Sequence, residues 1–286
     1  MMDKKPTLLA VLAHPDDETF GTGGTLALYA ERGVEVHLVC ATRGEAGDMD
    51  ADCLDGFDSI AERRVSELRC AAGILGLSGV HFLNYRDSGM PGSEDNQHPQ
   101  ALINAPLEEV AGHVVHYIRV LKPQVVITFD PIGGYKHPDH IAIHKATVQA
   151  FHVAGDPDYT GPSGLPAYQP QKLYYNIFPK RALRWAVRIL PLVGRNPRHF
   201  GRNGDIDLVD LVESGDFPTH ARIDYRSVQD KREAASACHA SQLMGPAQGG
   251  LVSRMMRLLG GKEIYMRAYP TVEGRLKETD LFAGVQ

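Results

Sequence analysis

Two short segments concentrate groups able to ligate a metal and move a proton: His14-Pro15-Asp16-Asp17-Glu18 and, much later, His137-Pro138-Asp139-His140. Zinc takes imidazole nitrogens and carboxylate oxygens, and a catalytic zinc usually has three protein ligands and one open position. His14 and Asp17, separated by a tight turn, can grip one ion from one side, with His140 as the third ligand from the second segment. Asp16, between the first two, points elsewhere and can serve as general base toward a water whose pKa zinc lowers to about 7. A proline restricts the residue before it to extended conformations, so His14 and His137 are the last extended residues before their turns. One His-Pro or Asp-Asp pair would ordinarily be a solvated cap, but two such clusters at matching places favour a metal site. His144, one helical turn beyond His140, is the competing ligand; it reads as a helix-surface or supporting residue.

These loops need a scaffold that brings them together. Leu8–Ala13 is a short apolar run of buried-strand type, and Gly24–Arg32 follows with helical character and stops at Gly33. Val34–Ala41 is the next strand, Ile60–Leu75 a helix, and Val80–Tyr85 a third strand. Leu107, Val110, Val114, Tyr117 and Leu121 keep the helical period before Lys122-Pro123 ends it, and 125–129 (VVITF) is a fourth strand. Continuous apolar strands separated by helices predict a doubly wound, mostly parallel α/β sheet with helices on both faces. Both clusters then follow strands, at the carboxyl edge where such sheets bind ligands. Another strand is expected over Leu173–Phe178 and a polar helix over Asp224–His239, ending in CHASQ. The Pro- and Gly-rich stretch 155–171 reads as a long excursion and a candidate lid. Residues 181–193 and 251–259 are basic and apolar, as short packed helices would be. There is no internal repeat and no firm boundary, so residues 1–286 are read as one domain, with a core of about 7–180 and a C-terminal extension, 181–286, over the pocket.

Composition narrows the function. With 286 residues, 43% of them hydrophobic, the chain can bury a substantial core. A formal charge of −5 argues against nucleic acid as a partner. The first apolar run is too short for a signal peptide or a membrane span. Cys40, Cys53, Cys70 and Cys238 are widely spaced with no CxxC pair, so reduced thiols in the cytoplasm are expected, and any metal must come through histidine and carboxylates. Of the 13 histidines, His37 and His81 lie in strands and His113 and His116 in a helix, where structural roles are favoured.

HPDDE followed downstream by GGYKHPDH resembles the LmbE-like, or PIG-L, family of metal-dependent de-N-acetylases, which includes N-acetylglucosaminyl-phosphatidylinositol deacetylase and the deacetylases and conjugate amidases of mycothiol and bacillithiol metabolism. The resemblance is strong over about residues 7–153. It implies a Rossmann-like fold and Zn2+, with His14, Asp17 and His140 as ligands. Asp16 matches the general base, His137 the group that protonates the leaving amine or supports the oxyanion, and Tyr135 an oxyanion-stabilising tyrosine. Arg64 and Asp87 resemble substrate-contacting residues of the mycothiol-pathway members; for Arg64, a helix-surface pair with Glu67 is an equal reading. Glu45 is a looser match that would orient a ligand or its loop, and His239 either reaches the pocket or ends a polar helix. The implied reaction is hydrolysis of the N-acetyl group of an amino-sugar derivative.

Rival readings are an amidase for larger thiol conjugates and a non-catalytic carbohydrate-binding protein, which would need no base and acid around a metal. A nucleotide-binding oxidoreductase fits poorly, because Gly21-Thr22-Gly23-Gly24 does not complete GxGxxG. Ferrous iron or another divalent metal satisfies the same ligand types. A homo-oligomer is left open.

Overall fold

The computed structural model describes residues 5–161, 163–178, 180–200, 204, 206–242 and 260–286. The helix expected at 251–259 lies outside the described residues. The chain opens with strand β1 (Thr7–Leu12), every residue of which is buried, followed by a single turn, α1 (Asp17–Phe20), and helix α2 (Gly23–Glu31). Strand β2 (Glu35–Thr42), helix α3 (Ile60–Leu75) and strand β3 (Gly79–Tyr85) repeat the unit. Ser59 caps α3 by accepting the Glu62 N–H, and Gly76, at φ +79°, ends it in the left-handed conformation that glycine favours. Helix α4 (Leu107–Leu121) leads to β4 (Val125–Phe129), then a distorted turn, α5 (Gly133–Lys136), helix α6 (Pro138–Val153) and β5 (Lys172–Asn176). Helices α7 (Lys180–Ile189) and α8 (Leu208–Glu213), strand β6 (Ala221–Asp224), helix α9 (Gln229–Cys238) and strand β7 (Lys262–Tyr269) complete the described elements.

The strands form one sheet in the order β3-β2-β1-β4-β5-β7-β6. The first five are parallel, as their uninterrupted apolar runs predict, and α2, α3 and α9 pack together while α4 packs on α6. Leu9, Leu26, Leu38, Leu68 and Leu75 lie in the core; a fully buried side chain of this kind contributes roughly 1.5–3 kcal/mol. The chain builds outward from β1 to β3, then returns to lay β4 beside β1, so two loops emerge side by side at the carboxyl ends of β1 and β4, the crevice in which such sheets bind ligands.

Three features depart from expectation. β7 and β6 continue the sheet in antiparallel fashion, although Lys262, Glu263 and Arg267 hide β7 (KEIYMRAY) from an apolar-run search. Tertiary bonds hold it: Glu263 accepts the N–H groups of Gly24 and Thr25 at 2.9 and 2.8 Å, at the start of α2. The stretch 155–171 is not a lid over the ligand crevice. Tyr168 donates to the carbonyl of Pro123 at 3.1 Å and Gln171 N–H to Gln124 at 2.9 Å, at the amino ends of β4 and β5. The reason is length: α6 starts at the crevice, and 16 residues at 1.5 Å each carry the chain to the opposite edge.

The cysteines are not all reduced. Cys70 and Cys238 form a disulfide that crosses 168 residues, because α9 packs against α3 and sets their Cα atoms 5.9 Å apart. Spacing in the chain cannot reveal a pairing made by helix packing. Cys40 and Cys53 are free. Thiol titration of the unreduced, denatured protein is expected to count two thiols, rising to four after reduction; four at the outset would remove the bond.

Candidate metal centre

Just beyond β1 the HPDDE segment folds on itself. The His14 N–H donates to Asp17 Oδ2 at 2.7 Å, tying the Asp17 carboxylate back to the start of the motif. Asp16 adopts φ +133°, unusual for a residue with a Cβ. Its carbonyl accepts the N–H groups of Thr19 and Phe20 at 2.9 and 3.0 Å, and its own N–H donates to Glu18 Oε2 at 3.0 Å.

Beyond β4, Asp130 Oδ1 accepts the N–H groups of Ile132 and Gly134 and shapes the GGYK turn. Gly133 sits at φ +66°, and a Cβ there would stand 2.9 Å from that of His140 and 3.0 Å from Ile141 N, so only glycine lets the turn lie against α6. Pro138 occupies the first helical position, with His137 as N-cap accepting the Asp139 N–H on Nδ1 at 3.2 Å. His140 follows in the first turn of α6, facing the HPDDE loop.

Three candidate ligand side chains then converge. His14 Nδ1 lies 3.2 Å from His140 Nε2 and 3.5 Å from Asp17 Oδ2, and His140 Nε2 lies 3.3 Å from Asp17 Oδ1. Donors about 2.0–2.1 Å from a tetrahedral ion stand roughly 3.3–3.4 Å apart, so these spacings, with each imidazole facing one oxygen of the Asp17 carboxylate, are of the size that zinc asks of its donors. The far side of each ring is also committed: His14 Nε2 faces Asp139 Oδ2 at 3.1 Å and Asp87 Oδ1 at 3.4 Å, and His140 Nδ1 faces the Gly133 carbonyl at 3.2 Å. With those nitrogens carrying the protons, the lone pairs of the other two point into the triangle, the outer-shell pattern usual for metal-bound histidine. His137 also converges with His14 and His140, its ligand atom within 4.8 Å of theirs, but its Nδ1 is engaged at the helix cap. The donor set fits a divalent metal.

Electrostatics point the same way. Burial disfavours charge on His14, yet Asp87, Asp139 and Asp17 outweigh it and hold its pKa well above the ordinary value. Burial likewise opposes charge on Asp17, but His140 and His14 keep its carboxyl well below the usual range. A cage that binds a proton this firmly attracts positive charge. Burial, with Asp17 nearby, lifts Asp16 to about 6 against the pull of Arg64. His137 is pushed well down by burial and by the His14 and His140 imidazoles, and burial holds the Tyr135 phenol far above its ordinary value, so it stays a donor.

A cavity of about 250 Å³ opens on the cluster, lined among others by His14, Asp16, Arg64, Asp87, Tyr135 and His137. It meets a larger, mostly apolar cavity of about 1020 Å³ that shares Tyr135 and Ile206 with it but contains none of the three clustered donors. All eight residues singled out in the sequence are therefore at one place. Arg64 does not pair with Glu67, whose carboxylate takes Arg63 at 3.0 Å; it donates to the Pro15 carbonyl at 2.8 Å and to Asp16 Oδ2 at 3.1 Å, clamping the HPDDE loop. Glu45 accepts the Asp87 N–H at 3.0 Å and so orients that loop. His144 is buried away from the triangle, bonded to the Phe129 carbonyl at 2.8 Å. Sequence reasoning passed over Asp139, fully buried and held by Ser88 N–H and Oγ, and Asp130; the only signal for Asp139 was its place between two histidines.

Residues 9–151 match the family model described as PIG-L: GlcNAc-PI de-N-acetylase. The chain is 39% identical to the 1D-myo-inositol 2-acetamido-2-deoxy-alpha-D-glucopyranoside deacetylase of Acidothermus cellulolyticus, covering 98% of this chain and 95% of that one. It is 37% identical to the protein of the same name from Streptomyces avermitilis, covering 97% of each. Among solved structures, the N,N'-diacetylchitobiose deacetylase of Pyrococcus horikoshii shares the fold with a TM-score of 0.62 at 21% identity, over 91% of this chain and 83% of that one. With the family motifs assembled around one pocket and relatives matched along nearly their whole length, the chain belongs to the PIG-L, or GlcNAc-PI de-N-acetylase, family.

Proposed function

We propose that this chain is a zinc-dependent N-deacetylase that removes the acetyl group from an N-acetylglucosamine-type amino sugar, with His14, Asp17 and His140 holding the metal. The observation that carries the reading is the 3.2–3.5 Å donor triangle sharing one pocket with Asp16, His137 and Tyr135. The relatives are named for a GlcNAc glycoside of inositol and align over nearly the full chain, which makes that class of glycoside the first substrate to test.

A metal at the triangle would supply Lewis acidity toward the acyl oxygen and acidify water. The protein's own groups divide the rest. Asp16, at about 6, is basic enough to take a proton from the attacking water and acidic enough to be ionised at neutral pH. Tyr135 donates its hydroxyl hydrogen to the oxygen that becomes negative in the tetrahedral intermediate. His137 accepts at Nδ1 from the α6 backbone, and burial and the neighbouring imidazoles hold it neutral, which leaves Nε2–H as a hydrogen-bond donor to the oxyanion or the departing nitrogen; the proton that the amine takes up is the one Asp16 removed from the attacking water. Asp87 and Arg64 line the same cavity and would meet sugar hydroxyls entering it. Residues of the C-terminal extension form part of the cover: Ile206 and Gln242 line the pocket wall. A cytoplasmic setting suits a soluble sugar substrate, and among the described residues no helix is long and apolar enough to cross a membrane.

The adjoining apolar cavity supports a second reading, amide hydrolysis of a bulkier conjugate whose acyl or aglycone part extends past Tyr135. A panel of N-acetylglucosamine, its inositol glycoside and larger N-acyl conjugates, scored by kcat/KM, separates the two; a preference of tenfold or more for the larger conjugates, an order-of-magnitude criterion of about 1.4 kcal/mol, would favour the amidase.

Metal analysis after zinc loading is expected to find about one ion per chain, lost in His14→Ala and His140→Ala, whose ligand atoms are removed. Asp16→Asn should keep the ion and lose about 10²–10⁴ in kcat, the usual contribution of a general base. Wild-type turnover by zinc-loaded Asp16→Asn would refute the base assignment. Tyr135→Phe should lower kcat by about 10²-fold or more, with KM little changed, if the hydroxyl acts only on the oxyanion.

A further inference from the structure

Asp16 holds a backbone conformation, φ +133° and ψ −28°, that is strained for a residue with a Cβ and persists only where surrounding contacts over-determine it. Arg64 fixes its carboxylate and the first turn of α1 its carbonyl. The remaining backbone group, its N–H, donates to Glu18 Oε2 at 3.0 Å. Glu18 is fully buried, and its other oxygen meets His239 Nε2 at 2.6 Å, also fully buried. A glutamate serving only to cap the first turn of a short helix would normally lie in water, because an ionised carboxylate is costly to bury without partners. Here its two oxygens are divided between the Asp16 backbone and an imidazole from a helix end more than 200 positions away.

His239 is correspondingly dedicated. Its Nδ1 has no hydrogen-bond partner among the described residues, so the side chain's polar contacts go to Glu18. The segment around it is fastened on both sides: Cys238 is bonded to Cys70, and Ser241 donates through N–H and Oγ to Glu67 at 3.0 and 2.7 Å. Both anchors lie on α3, the helix that also carries Arg64, so the imidazole is held rigidly relative to the group that clamps the Asp16 carboxylate.

We propose that Glu18 and His239 are a positioning pair for Asp16: His239 fixes the Glu18 carboxylate, and Glu18, through the Asp16 N–H, holds the backbone twist that turns the Asp16 carboxylate toward the pocket. Neither residue lines that pocket, so both act through Asp16. The inference rests on Asp16 being the base.

The test compares zinc-loaded wild type with Glu18→Leu, Glu18→Gln, His239→Leu, Asp16→Asn and the double variant Asp16→Asn/Glu18→Leu, reading kcat, KM and bound metal. Glu18→Leu and His239→Leu are expected to lose about 10²-fold in kcat, the scale of a misplaced catalytic group, with KM and metal content unchanged. Glu18→Gln, which keeps an oxygen for the Asp16 N–H, should recover most of the rate. In the Asp16→Asn background Glu18→Leu should cost nothing further, the non-additivity expected when one residue works through another. Undiminished kcat in both Leu variants overturns the pairing, as does loss of metal together with rate, failure of Gln to rescue, or full additivity with Asp16→Asn. If Glu18→Leu does not fold, His239→Leu and Glu18→Gln decide the question by the same criteria. An active Asp16→Asn enzyme would refute the base reading itself; an inactive Asp16→Asn beside an active Glu18→Leu would refute the pairing alone.

Discussion

The parallel pairing of β1 with β4 is the constraint on which everything functional here depends. Leu8 faces Val125 and Ala10 faces Ile127 in adjacent strands, so the loops that leave them, far apart in the chain, start within reach of each other. His14 and Asp17 come from one and His140 from the other, and their ligand atoms meet at 3.2–3.5 Å. A sheet in which β4 lay at an outer edge would present the same side chains with no common centre. Side-by-side strand ends at a reversal of strand order are a property of the doubly wound fold; the chemistry is added by the residues placed there.

Charge then dictates what can occupy the centre. Asp17, Asp87 and Asp139 surround buried His14, and their combined field favours positive charge there against the penalty of burial. The same field suits a divalent cation, and the far sides of the His14 and His140 imidazoles are already satisfied from behind. Asp139 is central to this arrangement: it backs His14 while Ser88 holds it through two hydrogen bonds.

Local backbone geometry sets the remaining groups. Left-handed Gly133 folds the GGYK turn onto α6 and brings Tyr135 edge-on to His140, ring centroids 5.0 Å apart. Proline at the start of α6 makes His137 an N-cap and so decides which of its nitrogens faces the pocket. On the other loop, Arg64, Glu18 and the first turn of α1 together hold Asp16 in a conformation it would not adopt alone. The strain sits where the base is expected, and its restraints reach into the C-terminal part of the chain through His239.

The sequence by itself determined the parallel half of the sheet and the two motifs that meet at the candidate site, because both are written in local patterns: apolar runs such as VVITF, a helical period through Leu107–Leu121, and two His-Pro-Asp motifs directly after strands. What depended on contacts between distant segments was not legible. Strand β7 carries charges that are satisfied only across the fold, as when Glu263 meets the start of α2. Cys70 and Cys238 gave no spacing signal, since their bond exists because α9 packs on α3. Arg64 had two equal readings until the structure turned it toward Asp16 instead of Glu67, and Asp139, Glu18 and His239 acquired roles only as partners. Residue type states what a side chain can do; which proton it holds and which group it supports follow from neighbours that tertiary packing alone supplies.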